Sequence, residues 1–267
     1  MAEDLKQMIQ AKCRGMDIPL LGIVSVSRWE DPSLNPDMPQ AFFPHFIWPE
    51  AESVVVIGLP VHLPALETSP SIWYREEYRT INTLLDQYTY RIAEFLNQHG
   101  YPSVSIPRDG YGHVSVLVHN PVAFFSHRHA AYLAGLGTFG VNNMLLTPAY
   151  GPRVRFGSVL TAAPLASDPM MEGMLCTRCM QCVEQCPVQA LSAEDYPDGL
   201  TDTATCAGYS LRLNEHYRSP CGVCIKVCPV GEDRVHYRRE DTGIYRNRTD
   251  AEGLHRAWEH VRRYGVK

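Results

Sequence analysis

The sequence predicts an α+β fold carrying a small cysteine-bound module. Three observations lead there. Over the first 170 residues, short apolar runs alternate with stretches whose apolar residues recur every three or four positions, the mark of strands interleaved with helices. Eight of the nine cysteines crowd into residues 176–228, a segment too poor in apolar residues to fold from its own core, so ligation must supply much of its stability. The remaining 35 residues end in one amphipathic helix. The expected division is a body over 1–170, a module over 171–232 and a tail over 233–267.

Leu5, Met8, Ile9 and Cys13 share one face of a helix expected over residues 3–14 and stopped at Gly15. Cys13 reads as a small core residue on that face. The apolar run 18–26 is expected as a buried strand. Residues 29–50 hold five prolines and several aromatics and read as irregular, either a lid or a loop packed on the core. The β-branched run 54–58 predicts a strand buried on both faces. A loop with Pro60, His62 and Pro64 leads to a long helix over 71–99, closed by Gly100 and barred from continuing by Pro102. Strands are expected over 103–106 and 114–118. Ser126 caps a short helix over 127–134 that ends at Gly135. Two further strands, 144–147 and 153–161, flank a turn between Pro148 and Pro152. A last helix is expected over 251–264.

The cysteines supply the strongest motif. Cys176, Cys179, Cys182 and Cys186, followed by Pro187, form C-x2-C-x2-C-x3-C-P, the bacterial [4Fe–4S] run whose fourth cysteine serves the other cluster of a pair. A cubane iron needs a thiolate at each corner, and a short loop with cysteines at this spacing can curl round three of them. The partner set is Cys206, Cys221, Cys224 and Cys228, again followed by proline. Exchange of the fourth ligands assigns one cluster to Cys176, Cys179, Cys182 and Cys228, and the other to Cys186, Cys206, Cys221 and Cys224. Cys206 stands fifteen positions before Cys221, so an insertion opens the second half. Zinc sites favour two separated CxxC pairs, and disulfides need an exported chain, so neither explains the pattern as well.

Composition bounds the partners. No apolar run approaches the 18 residues a membrane span needs. The charged N-terminus lacks a secretory core, and cluster cysteines require a reducing compartment, which together place the protein in the cytoplasm. The formal charge is −5, and only the tail is net basic, a weak footprint for a nucleic-acid binder. Gly135, Gly137 and Gly140 match G-x-G-x-x-G, but these glycines close a helix and lead into a strand, the reverse of a dinucleotide fingerprint. Two readings remain: bare backbone that lets a large ligand approach, or a helix cap followed by a tight turn.

The run Ala134-Gly-Leu-Gly-Thr-Phe-Gly-Val-Asn-Asn-Met-Leu-Leu-Thr-Pro-Ala-Tyr-Gly, followed by residues 153–165 and the two cysteine sets, resembles the epoxyqueuosine reductase family. Residues 49–58 resemble that family's early strand. The resemblance implies a nitroreductase-like core holding a cobalamin, two [4Fe–4S] clusters in a ferredoxin-like module feeding it electrons, and removal of an epoxide oxygen from a modified tRNA base. Corrinoid reductive dehalogenases share this plan. The family places an acidic proton donor in an Asp-Ser-x-Pro context ahead of this run. Here the region reads Val118-His119-Asn120-Pro121-Val122, which puts His119 at that place. The chain also ends at Lys267 without the family's helical-repeat extension that helps hold tRNA. A small-molecule or nucleoside substrate is therefore expected, with tRNA less favoured, and a reduced ferredoxin or flavodoxin as electron donor.

For that chemistry the expected cofactor-binding residues are Gly135, Gly137, Thr138, Phe139, Gly140, Asn142, Asn143, Tyr150 and Arg153. Small residues admit a macrocycle and amides satisfy its polar rim. His119, Tyr111, His127 and His129 are proton-donor candidates by type, against the plainer reading of each histidine as a surface or capping residue. Arg153 and Arg155 alternate on a strand and so point one way, either to solvent or to an anionic ligand. Two other functional classes stay open: an electron-transfer protein that docks to a partner without its own corrinoid, and a tRNA-modifying enzyme proper.

Overall fold

A computed structural model describes residues 2–34, 38, 40–120 and 122–265. Pro121 and Lys267, and two of the five prolines in residues 29–50 (Pro36 and Pro39), lie outside the described residues.

The body is three-layered. A four-stranded antiparallel sheet has the order β1 (Leu20–Ser25), β2 (Ser53–Pro60), β6 (Val154–Thr161), β3 (Ser103–Ile106). The central strand β2 is buried along nearly its whole length, as its unbroken β-branched run predicts. Its period-two alternation builds two cores. Val55, Ile57 and Leu59 face α1 (Ala2–Arg14) and the long α4 (Ile72–Gln98). Val54 and Val56 face α6 (His127–Leu133) and the segment around Trp29. Cys13 is a core residue of the first layer, and burial pushes its thiol up to about 12. Ser71 caps α4 by accepting from Tyr74 N at 3.1 Å, and the chain leaves the helix through Gly100 at φ +83°. Short helices α2 (Pro44–Ile47) and α3 (Leu63–Glu67) sit in the proline-bearing connections.

One expected strand is absent. Residues 114–118 form a turn and the short helix α5 (Val116–His119). The alternating valines suit a strand, but β6 is already flanked by β2 and β3, and α5 packs instead on α8 (Thr203–Glu215). The expected strand over 144–147 shrinks to β5 (Leu145–Leu146), paired with β4 (Thr138–Phe139) in a two-stranded ribbon.

In the module, α7 (Gln181–Glu184) and α9 (Val223–Lys226) each carry one cysteine of the two sets, and the insertion after Cys206 is helix α8, capped by Asp202 accepting from Thr205 N at 3.0 Å. The tail, with α10 (Asp233–His236) and α11 (Glu252–Arg262), clamps the module to the body. Arg234 donates to the carbonyls of Cys228 and Lys226, while Arg239 at 2.7 Å and Tyr245 at 3.0 Å converge on the buried Glu67 carboxylate. Arg262 donates to the carbonyls of Thr68 and Glu67 at 2.8 and 2.9 Å.

Candidate functional site

The cysteines fall into two quartets. Cys176, Cys179, Cys182 and Cys228 line one small pocket of about 20 Å³, walled by Val141, Leu146, Pro229 and Val230. Burial pushes Cys182 up to about 11, and Cys228, Cys179 and Cys176 add to the rise. In the second quartet burial pushes Cys221 up to about 11, with Cys206 and Cys186 contributing, and Cys224 responds to Cys221, Cys206 and Cys186. Cys224 also responds to Cys182, so the quartets adjoin. Among the described residues, no three His, Cys, Asp or Glu side chains converge closely enough to hold a single metal ion. Ala190 N–H donates to Cys186 Sγ at 3.3 Å, the kind of contact that tunes a cluster.

The glycine-rich turn works against the protein's own chain. A Cβ on Gly135 would lie 1.9 Å from Pro169 O, and one on Gly137 the same distance from Leu146 O. On Gly140 it would meet Leu146 Cδ1 at 2.7 Å. Asn143 Nδ2 donates to Gly199 O at 2.8 Å and its Oδ1 accepts from Thr201 N at 2.6 Å; Asn142 reaches Cys224 O at 3.5 Å. Thr138 Oγ1 accepts from Leu175 N, and Phe139 stacks on Tyr196 with centroids 4.3 Å apart. These residues seat the module on the body. Tyr150 packs at the edge of the second core. Arg153 is fully buried. It donates to both oxygens of Asp233 at 2.7 and 2.6 Å, and to the carbonyls of Cys228 and Val230. Its guanidinium braces the second cysteine loop and does not face a ligand. Gly151 makes that close approach possible, since a Cβ there would lie 1.9 Å from Val230 O.

The recess lies one step along the same strand. Arg155 shares the α4 face with Arg153, but 26% of its side chain remains accessible. Its Nε donates to Asn82 Oδ1 at 3.1 Å, its Nη2 to Asp109 Oδ1 at 3.0 Å, and it lies 4.5 Å over the Tyr78 ring. Burial disfavours its charge, but Tyr78, Asp109, Tyr111 and Tyr74 outweigh that and hold its pKa above the ordinary value. Exposed Arg128 is held below its ordinary value by burial and then by Arg155. Tyr78, Tyr111 and Cys224 are likewise half-accessible, yet burial dominates the rise in each pKa. These side chains, each keeping accessible surface, gather round Arg155 and Asp109 as one polar recess. Arg128 and Tyr74 both feel the charge of Cys224, which places the second quartet near that group. Tyr74 is buried and packs against Gly222 of the second cysteine loop.

The proton-donor candidates separate. Tyr111 donates to Asp109 beside Arg155 and lines the recess. His127 is held neutral: burial lowers it to about 4, Nε2–H donates to Pro107 O at 3.0 Å, and Nδ1 accepts from Ser158 at 2.9 Å. His129 is lowered to about 3 by burial and by Arg128. His119 lies exposed at the end of α5. Tyr78, Arg128 and Asp109 escaped the sequence reading, because nothing in spacing joins residues brought together by a helix, a loop and a strand. Arg155 was read only as half of a strand pair.

Residues 175–232 match the family model described as a 4Fe-4S dicluster domain. Over 197 residues the chain is 29% identical to a tetrachloroethene reductive dehalogenase of Desulfitobacterium hafniense, covering 66% of this chain and 32% of that protein. It is 27% identical over 225 residues to an epoxyqueuosine reductase of Synechococcus sp. (strain CC9605), covering 77% of this chain and 65% of that one. The chain is similar to both groups of reductases. It spans about a third of the first relative's length and slightly under two thirds of the second's. The fold is that of a solved reductive dehalogenase whose description proposes a mechanism for B12-dependent dehalogenation, with a TM-score of 0.62 at 19% identity, covering 89% of this chain and 34% of that one. Among the described residues no helix is long and apolar enough to cross a membrane.

Proposed function

We propose that the chain is a cytoplasmic iron–sulfur reductase whose nitroreductase-like body holds a cobalamin in the recess beside Cys224, acting on a small-molecule or nucleoside substrate. The observation that carries this reading is one strand that braces the loop after Cys228 through Arg153 and, two residues on, presents the half-accessible Arg155 to Asn82, Asp109 and Tyr78. The eight thiols fit two [4Fe–4S] clusters, one per quartet, with a reduced ferredoxin or flavodoxin as the donor. The polar side chains round Arg155 would meet a cofactor's polar rim, whereas the glycine turn is filled by the protein's own chain.

A bound corrinoid supplies low-potential two-electron chemistry at cobalt. The chain's own residues do the rest. Asp109 accepts from both Tyr111 and Arg155 and fixes the phenol. Burial keeps Tyr111 protonated, so it has a proton to give. Arg155 stabilises the phenolate left behind, since its charge acts to lower the Tyr111 pKa. Neutral His127 spends both ring nitrogens on Pro107 and Ser158 and shapes the wall.

The test is anaerobic titration of reconstituted protein with cobalamin, followed by visible spectra. Saturation near one equivalent, weakened at least tenfold in Arg155→Leu with cluster absorbance intact, is expected. No binding to protein with intact clusters would overturn the reading and leave an electron-transfer protein.

A further inference from the structure

A cavity of about 360 Å³ lies beside the second cysteine quartet, bounded by the loops after Cys186 and Cys221 and by the tail. Its lining is one-sided in charge. Arg218, Arg248, Arg262 and Lys226 all reach it, and among the described residues no aspartate or glutamate lines it. Glu67 is held by Arg239 and Tyr245, while Glu259 pairs with the lining Arg248 at 3.0 Å and offsets one of the four positive charges.

The cationic groups are built in from below. Lys226, 7% exposed, donates to Ser69 O at 2.9 Å, and Arg218 Nε donates to Pro70 O at 3.2 Å. Each anchors on a backbone carbonyl, which supplies no countercharge. Two polar atoms of lining residues are also unpartnered among the described residues. Ser69 is 0% exposed and its Oγ has no hydrogen-bond partner; Gln185 Nε2 is buried and equally unmet. A buried donor without an acceptor costs about 1–3 kcal/mol, and both atoms lie behind the cavity wall. The aromatic side chains of Trp258 and Tyr209 supply the rest of the wall.

We infer that this cavity binds a small phosphate ester carrying a planar organic group. Three gathered guanidinium groups, with the Lys226 amine beside them, match the several oxygens and double charge of a phosphate monoester. A lone phosphate would leave much of the volume empty, and the indole and phenol faces suit a flat ring. The site is separate from the recess and does not depend on a corrinoid.

Calorimetric titration of the cluster-loaded full chain at low ionic strength, with adenosine monophosphate, inorganic phosphate and adenosine as probes, tests this. Saturable binding of adenosine monophosphate, at least tenfold tighter than either fragment, is expected. Arg218→Gln and Arg248→Gln should each weaken it at least tenfold with cluster spectra unchanged, and Arg128→Gln, on the recess, should leave it unchanged. Absence of binding, binding that ignores both cavity variants, or phosphate binding as tightly as the nucleotide would overturn the inference.

Discussion

Single side chains decide whether this chain holds its redox module. Arg153 and Asp233 form a buried ion pair, 0% and 7% exposed, that ties the last body strand to the segment after Cys228. Removing one partner leaves an uncompensated buried charge, a loss of about 3–5 kcal/mol. Arg153→Met should therefore lower the melting temperature of the cluster-loaded protein sharply, and adding Asp233→Leu should restore part of it. Equal melting of single and double variants would contradict the pairing. His127 gives a pH prediction. Burial lowers its folded pKa to about 4, against about 6.5 in the unfolded chain, so between those values only the unfolded chain carries the proton. Stability falls as pH drops from about 6.5 toward 4 and loses no more from this residue below that. Urea midpoints at pH 7 and pH 5 should differ less in His127→Gln than in the parent; an unchanged difference would refute the assignment. At this scale the sequence could pair Arg153 with Arg155 on one strand face, but not tell their fates apart. Those depend on Asp233 and Asp109, which lie far away along the chain in opposite directions.

At the scale of elements, legibility followed periodicity. Strand β3 and helix α4 were readable because apolar spacing and caps agree: Ser71 starts α4, and Gly100 with Pro102 ends it. Residues 114–118 misled because strand propensity is local, and α8 offered this segment a helical partner away from the sheet. The glycine turn misled for another reason. A sequence shows that Cβ is missing but not whether ligand or backbone fills the space. Gly151 puts this to the test. It sits at φ +53° with Val230 O where a Cβ would be, whereas Gly100 has positive φ and open space. Gly100→Ala should cost only its backbone strain, about 1–2 kcal/mol. Gly151→Ala must also push the β5–β6 turn off the second cysteine loop. It should lower the melting temperature well beyond the Gly100 variant and reduce iron retention. Similar losses in the two variants would show that the close approach is unimportant.

Across the whole molecule, the iron–sulfur module was legible from cysteine spacing, and residues 175–232 match a 4Fe-4S dicluster domain. The recess was not, since it is assembled from α4, the segment after β3, α6 and β6, and it exists only once the sheet has placed Arg155 beside Asp109. Body, module and tail then act as one arrangement. The tail clamps α9 and the loop after Cys228, the turn around Asn143 seats the module, and Cys224 is left near the recess. Adjacency of the second quartet to the recess is tested most directly by electron paramagnetic resonance of cobalamin-loaded protein, poised so that cobalt(II) and a reduced cluster coexist. The cobalt signal should be broadened or split by the cluster spin, and should return to its uncoupled form when the clusters are oxidised. A cobalt signal identical in both states, in protein with saturated cobalamin and intact clusters, would contradict that adjacency.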